Sequence, residues 1–191
     1  MNGINREILR LAIPSIVTNI TVPLLGMVDV AIVGHIGNAS YIAAIALATM
    51  VFNLIYWGFG FLRMGTSGLT AQAFGRGDLK DCARIFLRGI IVSLALAAVT
   101  VALQWPLSQL TLFAVNASPE LEALAVRYFM IRIWAAPATV ALMAFRGWFV
   151  GMQDSVSSMW TDLVVNVVNV ASSIILTFGI GSWEGWGYDG I

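Results

Sequence analysis

The sequence predicts an all-α membrane protein with five transmembrane helices, and three observations lead there. Of its 191 residues, 59% are apolar and only 10% are charged, against about 25% charged in an ordinary soluble domain. The apolar residues gather into five runs, each near the roughly 20 residues a helix needs to cross a bilayer. Polar or glycine-rich breaks separate the runs, and backbone in lipid must satisfy its own hydrogen bonds, which helices do locally. Net charge is zero, so electrostatics makes no case for a nucleic-acid partner. The single cysteine, Cys82, can form neither an internal disulfide nor a thiolate metal cluster, and is expected to be inert.

The first run, 8–33, follows Arg6 and Arg10 and ends at Gly34-His35-Ile36-Gly37-Asn38. It is too long for a signal-peptide core and lacks an A-x-A site, so a retained helix is expected. The second, 42–74, passes Phe61, becomes less apolar, and stops at Gly75-Arg76-Gly77-Asp78. The third, 85–103, stops at Gln104-Trp105-Pro106. A connector from Leu107 to Pro119 alternates apolar and polar residues and is expected at the membrane interface. The fourth, 121–151, is broken by Pro137; the fifth, 159–180, runs into the polar stretch Gly181 to Ile191. Pro14, Pro23 and Pro137 should kink their helices and free carbonyls. Gly58, Gly60, Gly65 and Gly68 on the second helix are expected to make close helix contacts.

Basic residues set the orientation. Arg6 and Arg10 precede the first helix, Arg76, Lys80, Arg84 and Arg88 surround the second connection, and Arg146 sits near the end of the fourth helix. The first and third connections and the tail carry no Lys or Arg. The N-terminus is expected inside and Ile191 outside. Arg127 and Arg132 fall in the outer part of helix four, where long side chains can snorkel. Trp105, Trp183 and Trp186 fall at outer boundaries as an aromatic belt would, and His35 at the lip of helix one is expected to be interfacial.

A charge deep in a membrane costs at least about 2.5 kcal/mol, which makes it a functional candidate. Asp29 lies four residues before Val33, with no basic residue within a helical turn. Desolvation there disfavours the carboxylate and suits it to take up and release a proton, unless Arg127 or Arg132 pairs with it structurally. On helix five, Asp162, Asn166, Asn169, Ser173 and Thr177 are spaced four, three, four and four residues apart. That spacing puts them on one face, which must meet a neighbouring helix or water. Ser173, seven residues before Ile180, sits at about the depth of Asp29, so the two helices could share a site. Arg63 is expected in the inner half of helix two with Gln72 further in, and Asp162 is deep enough to pair with Arg63. No G-x-S-x-G, H-E-x-x-H or Walker loop is present, and no enzyme is expected.

Several segments in order then resemble one family. Thr18-Asn19-Ile20-Thr21-Val22-Pro23-Leu24-Leu25-Gly26-Met27-Val28-Asp29, followed by Val33-Gly34-His35, resembles the first helix of the multidrug and toxic-compound extrusion (MATE) family. Phe61-Leu62-Arg63-Met64-Gly65-Thr66, running into Leu69-Thr70-Ala71-Gln72-Ala73-Phe74-Gly75, resembles the second helix of its DinF branch. Ala136-Pro137-Ala138 and Gly147-Trp148-Phe149-Val150-Gly151-Met152-Gln153 resemble the fourth helix and its exit, and Asn166-Val167-Val168-Asn169 the fifth.

The resemblance implies twelve helices in two six-helix lobes around a cavity with alternating access. Residues 1–191 would form most of the N-terminal lobe, with the sixth helix and the C-terminal lobe absent. It implies a cation-coupled antiporter exporting drugs or metabolites, multi-pass in the bacterial inner membrane with a cytoplasmic N-terminus. Asp29 and Asn169 match the family's cation or proton site, with Ser173 where many relatives carry a second aspartate. A lone carboxylate suits a proton better than sodium, so H+ is the expected coupling ion and Na+ the alternative; no cofactor or firm metal site is expected. Asn19, Asn166 and Thr177 are cavity-lining candidates, and Pro23, Arg63, Gln72 and Asp162 structural or gating ones. The expected partners are the lipid bilayer, a small organic substrate and the missing C-terminal lobe. The rival readings are a lipid-linked oligosaccharide flippase of the same superfamily and a non-transporting membrane subunit.

Overall fold

A computed structural model of the chain describes residues 12–13, 16, 20, 27–28, 31–35, 39–113, 118–180 and 183–190. Most of the first expected span, including Pro14, Asn19, Pro23 and Asp29, lies outside the described residues. The rest is helical: α1 (Ala39–Gly58), α2 (Gly60–Gly75), α3 (Leu79–Ala102), α4 (Gln104–Phe113), α5 (Pro119–Arg132), α6 (Ala136–Gly151) and α7 (Ser155–Phe178). Among the described residues there is no strand, only an isolated bridge between Ile180 and Trp183. Among the described residues, four helical stretches are long and apolar enough to cross a membrane: Ser40–Gly75, Leu79–Ala102, Pro119–Gly151 and Ser155–Phe178. The chain forms two units, Ala44–Asp154 and the combination of Met1–Ala43 with Ser155–Ile191.

Within the first unit, two long helices are interrupted without being ended. Between α1 and α2, the Phe59 amide donates to the Tyr56 carbonyl and the Leu62 amide to Phe59, both at 3.0 Å. These tighter bonds span a Gly-Phe-Gly sequence, where helix propensity is weakest. Between α5 and α6 the chain tightens into a 3-10 turn, Ile133–Ala135. The cause is Pro137: it has no amide to donate and its ring would clash with the carbonyl four residues back, that of Ile133. The Ala136 amide takes that carbonyl instead. The break expected at Pro137 is thus a local tightening, and the helix runs on.

Turn chemistry sets the helix ends at 75–79 and 151–155. After α2, Gly77 adopts φ +74°. Its amide donates to Phe74 at 2.9 Å, and that of Asp78 to Ala73 at 3.0 Å, the pair of bonds that stops a helix on a left-handed residue. The Asp78 carboxylate accepts from the Asp81 amide at 2.9 Å, which starts α3 at Leu79, ahead of the apolar run at Ile85. The same exit recurs after α6, with Gln153 at φ 58°, its amide on Val150 at 3.1 Å and that of Asp154 on Phe149 at 2.9 Å. The connector after the third run is helical to Phe113. Pro106 falls in the first turn of α4, where its missing amide costs no helical bond.

The core of this unit is the packing of α2 and α3 against α6. One face of α6 is buried at Ala136, Val140, Ala144, Gly147 and Gly151. A Cβ on Gly147 would stand 2.5 Å from the Arg63 carbonyl oxygen, and one on Gly151 would stand 2.6 Å from the Thr70 Cβ. Small residues four apart let two backbones touch, which is how helices associate where no hydrophobic drive separates protein from lipid. By contrast, a Cβ on Gly58, Gly60, Gly65 or Gly68 meets no atom of the described residues within 4 Å. The close-contact role expected of those four glycines belongs to Gly147 and Gly151. Trp148 closes one end of this packing: its Nε1 donates to the Cys82 carbonyl at 3.0 Å, and its ring lies 5.0 Å from that of Phe86. Cys82 is buried, in keeping with an inert thiol.

In the second unit, α7 ends where Gly179 takes φ +78° and donates to Ile175 at 2.8 Å. The tail then turns back: the Trp186 amide donates to the Leu176 carbonyl at 2.7 Å. Gly190 lies so close that a Cβ would sit 2.4 Å from the Leu176 carbonyl carbon. The C-terminal end of α7 is therefore capped by the chain that follows it.

Candidate functional site

The site is built on α7, whose sequence writes two opposed faces. Val164, Val167, Val168, Ile174 and Ile175 are exposed, while Asp162, Asn166, Ser173 and Thr177 are 1%, 8%, 8% and 4% exposed. With 3.6 residues per turn, those four polar residues fall within one sixth of the helix circumference. This inverts the pattern of a soluble helix: greasy side chains face outward and polar ones inward, as a lipid-facing span requires. Asn169 belongs to the same stripe by spacing, yet it is exposed. It stands at the stripe's edge.

Hydrogen bonding within the stripe is incomplete. Asp162 is engaged rather than free, but the Asn166 amide nitrogen and the Thr177 hydroxyl are buried with no hydrogen-bond partner among the described residues. A buried amide or hydroxyl left without a hydrogen bond costs about 1–3 kcal/mol. Such groups fit a site that something else completes.

Of the other residues singled out in the sequence, Asn19, Pro23 and Asp29 lie outside the described residues. Arg63 and Gln72 are exposed on α2, which belongs to the other unit. Among the described residues no cluster of His, Cys, Asp and Glu could hold a metal ion.

One feature of the first unit escaped sequence reasoning. Arg132, expected to snorkel, packs its guanidinium 5.4 Å from the Phe52 ring centre and 5.5 Å from that of Tyr128, and it donates to the Tyr128 hydroxyl. Phe52 in turn stacks on Phe129 at 4.7 Å and on Tyr56 at 5.8 Å. Arg132 is half-buried, and a guanidinium over an aromatic face gains about 0.5–2 kcal/mol, so these rings help a cation sit against an apolar helix pair. Half of this was readable, since Tyr128 and Arg132 are four residues apart on one helix. The Phe52 contact joins α1 to α5 and has no local signal.

Comparison with known proteins fits this architecture. The MatE family model matches residues 14–175. The chain is 33% identical over 176 residues to DNA damage-inducible protein F of Escherichia coli (strain K12), covering 92% of this chain and 38% of that protein. It is 34% identical over 175 residues to "Probable multidrug resistance protein NorM" of Rhizobium meliloti (strain 1021), covering 91% of this chain and 37% of the relative. The chain thus spans well under half the length of these relatives. Among solved structures, a MOP superfamily transporter from Pyrococcus furiosus superposes with a TM-score of 0.82 at 23% identity, over 96% of this chain and 40% of that one. A MATE in the bent conformation gives 0.83 at 22% identity, over 97% and 40%. At such identity the likeness speaks for the fold. Family match, sequence relatives and membrane-spanning helices agree: this is a multi-pass all-α membrane chain, and it belongs to the MatE family.

Proposed function

We propose that this chain is the N-terminal portion of a proton-coupled antiporter that exports small organic molecules from the cytoplasm. The reading is supported by relatives whose names include multidrug resistance proteins, and by the inward polar face of α7. That face carries it: a structural helix would have its buried amides and hydroxyls paired, whereas the Asn166 amide nitrogen and the Thr177 hydroxyl have no hydrogen-bond partner among the described residues. Asp29 would hold the coupling proton, with Asn169 and Ser173 across from it, while Asn19, Asn166 and Thr177 line the cavity. Arg63, Gln72, Asp162 and Pro23 would position or gate. Sodium is the second coupling ion to test, disfavoured because Ser173 supplies no second carboxylate. The chain works as no enzyme and needs no cofactor. It would sit in a bacterial inner membrane with its N-terminus and the Arg76 turn inside, since the basic residues collect there. Its second wall would come from a C-terminal lobe, in line with the 38% of the relative that it covers.

Proton uptake would remove the charge on Asp29 and let helix one, weakened at Pro14 and Pro23, bend or repack to narrow the cavity. In the full-length transporter, Asp29→Asn is nearly isosteric and should fold, yet lose efflux driven by a pH gradient. Efflux by Asp29→Asn with unchanged pH dependence would overturn the mechanism and make Asp162 the next carboxylate to substitute.

A further inference from the structure

The geometry points to an anionic phospholipid seated in the groove between α2 and α3, its acyl chain on the apolar floor and its phosphate on Arg84 and Arg88. The groove is open on one side and has a volume of about 200 Å³. Phe61, Gly65 and Leu69 of α2 and Ile85, Arg88 and Val92 of α3 line it. Phe61, Leu69 and Val92 are 56%, 55% and 44% exposed, and Gly65 leaves the floor bare, since a Cβ there would meet nothing within 4 Å. An open apolar trough on a membrane helix pair is the shape of an acyl chain.

Charge decides which lipid. Lys80, Arg84 and Arg88 recur every four residues on α3, on one side of the helix, and all three are exposed. Among the described residues none of them makes an ion pair; the single ion pair in this region, at 2.9 Å, ties Arg76 to Asp81 instead. Arg88 lies nine residues past Leu79, which places its Cα ~14 Å along the helix. Helical side chains lean toward the N-terminus of their helix, so its guanidinium swings back toward Arg84 and the membrane surface. The result is a ladder of unneutralised cations descending into the groove, matched to a phosphate at the headgroup level with its hydrocarbon tail below. A zwitterionic headgroup would bring its own cation against the ladder. The inference rests on the membrane placement proposed above, with the Arg76 turn at the inner surface. It does not rest on the transport cycle.

The test uses the full-length transporter in nanodiscs that carry a photoactivatable diazirine on the acyl chain of either phosphatidylglycerol or phosphatidylcholine. Phosphatidylglycerol should label peptides covering 61–69 and 85–92 severalfold more than phosphatidylcholine does. The double variant Arg84→Gln/Arg88→Gln should bring the phosphatidylglycerol yield down to the phosphatidylcholine level, and Arg84→Lys/Arg88→Lys should keep most of it. Gly65→Leu, which fills the floor and leaves the charges, should reduce labelling by both lipids. Equal labelling by the two headgroups, labelling indifferent to the double Gln variant, or crosslinks from the groove to another protein segment or a second copy would each overturn the proposal. Labelling is read without a proton gradient, so its failure is separable from a failure of Asp29→Asn to lose efflux.

Discussion

At the scale of single residues, the α7 stripe sets stability against use. Thr177 keeps its hydroxyl buried with no hydrogen-bond partner among the described residues. Valine has the same shape without the hydroxyl, so Thr177→Val removes a desolvated group and leaves no cavity. Stability should rise by about 1 kcal/mol, read as a higher midpoint of thermal or SDS unfolding, while efflux by the full-length transporter falls. A lower midpoint would mean that Thr177 is a satisfied structural residue. The stripe itself was legible, because four-residue spacing on an apolar helix leaves one face for polar groups. That Asn169 would be exposed and Asn166 buried was not legible. The two differ by under a quarter turn, and only the three-dimensional surroundings of α7 separate them. The aromatic shell of Arg132 was hidden for a similar reason: Phe52 lies eighty positions away along the chain.

The same division holds for whole elements. Apolar runs of spanning length, the Gly77 stop and the Pro137 interruption were all written locally, in composition and turn residues. Which glycines touch another helix was not, since a glycine looks alike in sequence whether it faces a backbone or open space. The two kinds should respond oppositely to one methyl group. Gly151→Ala puts a Cβ 2.6 Å from that of Thr70 and 2.7 Å from the Ser67 carbonyl oxygen, forcing α2 and α6 apart. Overpacking of this kind costs about 1–3 kcal/mol. Gly68→Ala meets nothing within 4 Å and gains helix propensity, up to about 1 kcal/mol. Unfolding midpoints of the two variants should therefore move in opposite directions; movement in the same direction would refute the assignment of contacts. The helix exits offer a further comparison. Gln153 takes the left-handed conformation that Gly77 supplies after α2, and a side chain there costs about 1–2 kcal/mol. Gln153→Gly should raise the unfolding midpoint, and no change would mean the strain is relieved elsewhere.

For the molecule as a whole, the question is what one lobe can do. An antiporter must expose its site to one side of the membrane at a time, which takes two packed bodies that move against each other around the site. The chain covers 38% of its Escherichia coli relative and 40% of the Pyrococcus furiosus transporter whose fold it shares. On the function proposed above, the polar face of α7 would supply one wall of a cavity, and with one wall a substrate would be touched but not carried. Reconstituted alone into liposomes with an imposed pH gradient, residues 1–191 should accumulate no dye. Co-reconstituted with the remaining lobe, or as the full-length transporter, they should accumulate dye only while the gradient lasts. The contrast is qualitative because alternating access is not divisible: removing half of the rocking pair removes the cycle, whatever affinity the remaining half keeps. Uphill transport by the isolated chain would mean that its own copies assemble into the second wall. Crosslinks between identical α7 residues would then identify that interface, and the N-terminal-lobe reading would give way to a homo-oligomeric transporter.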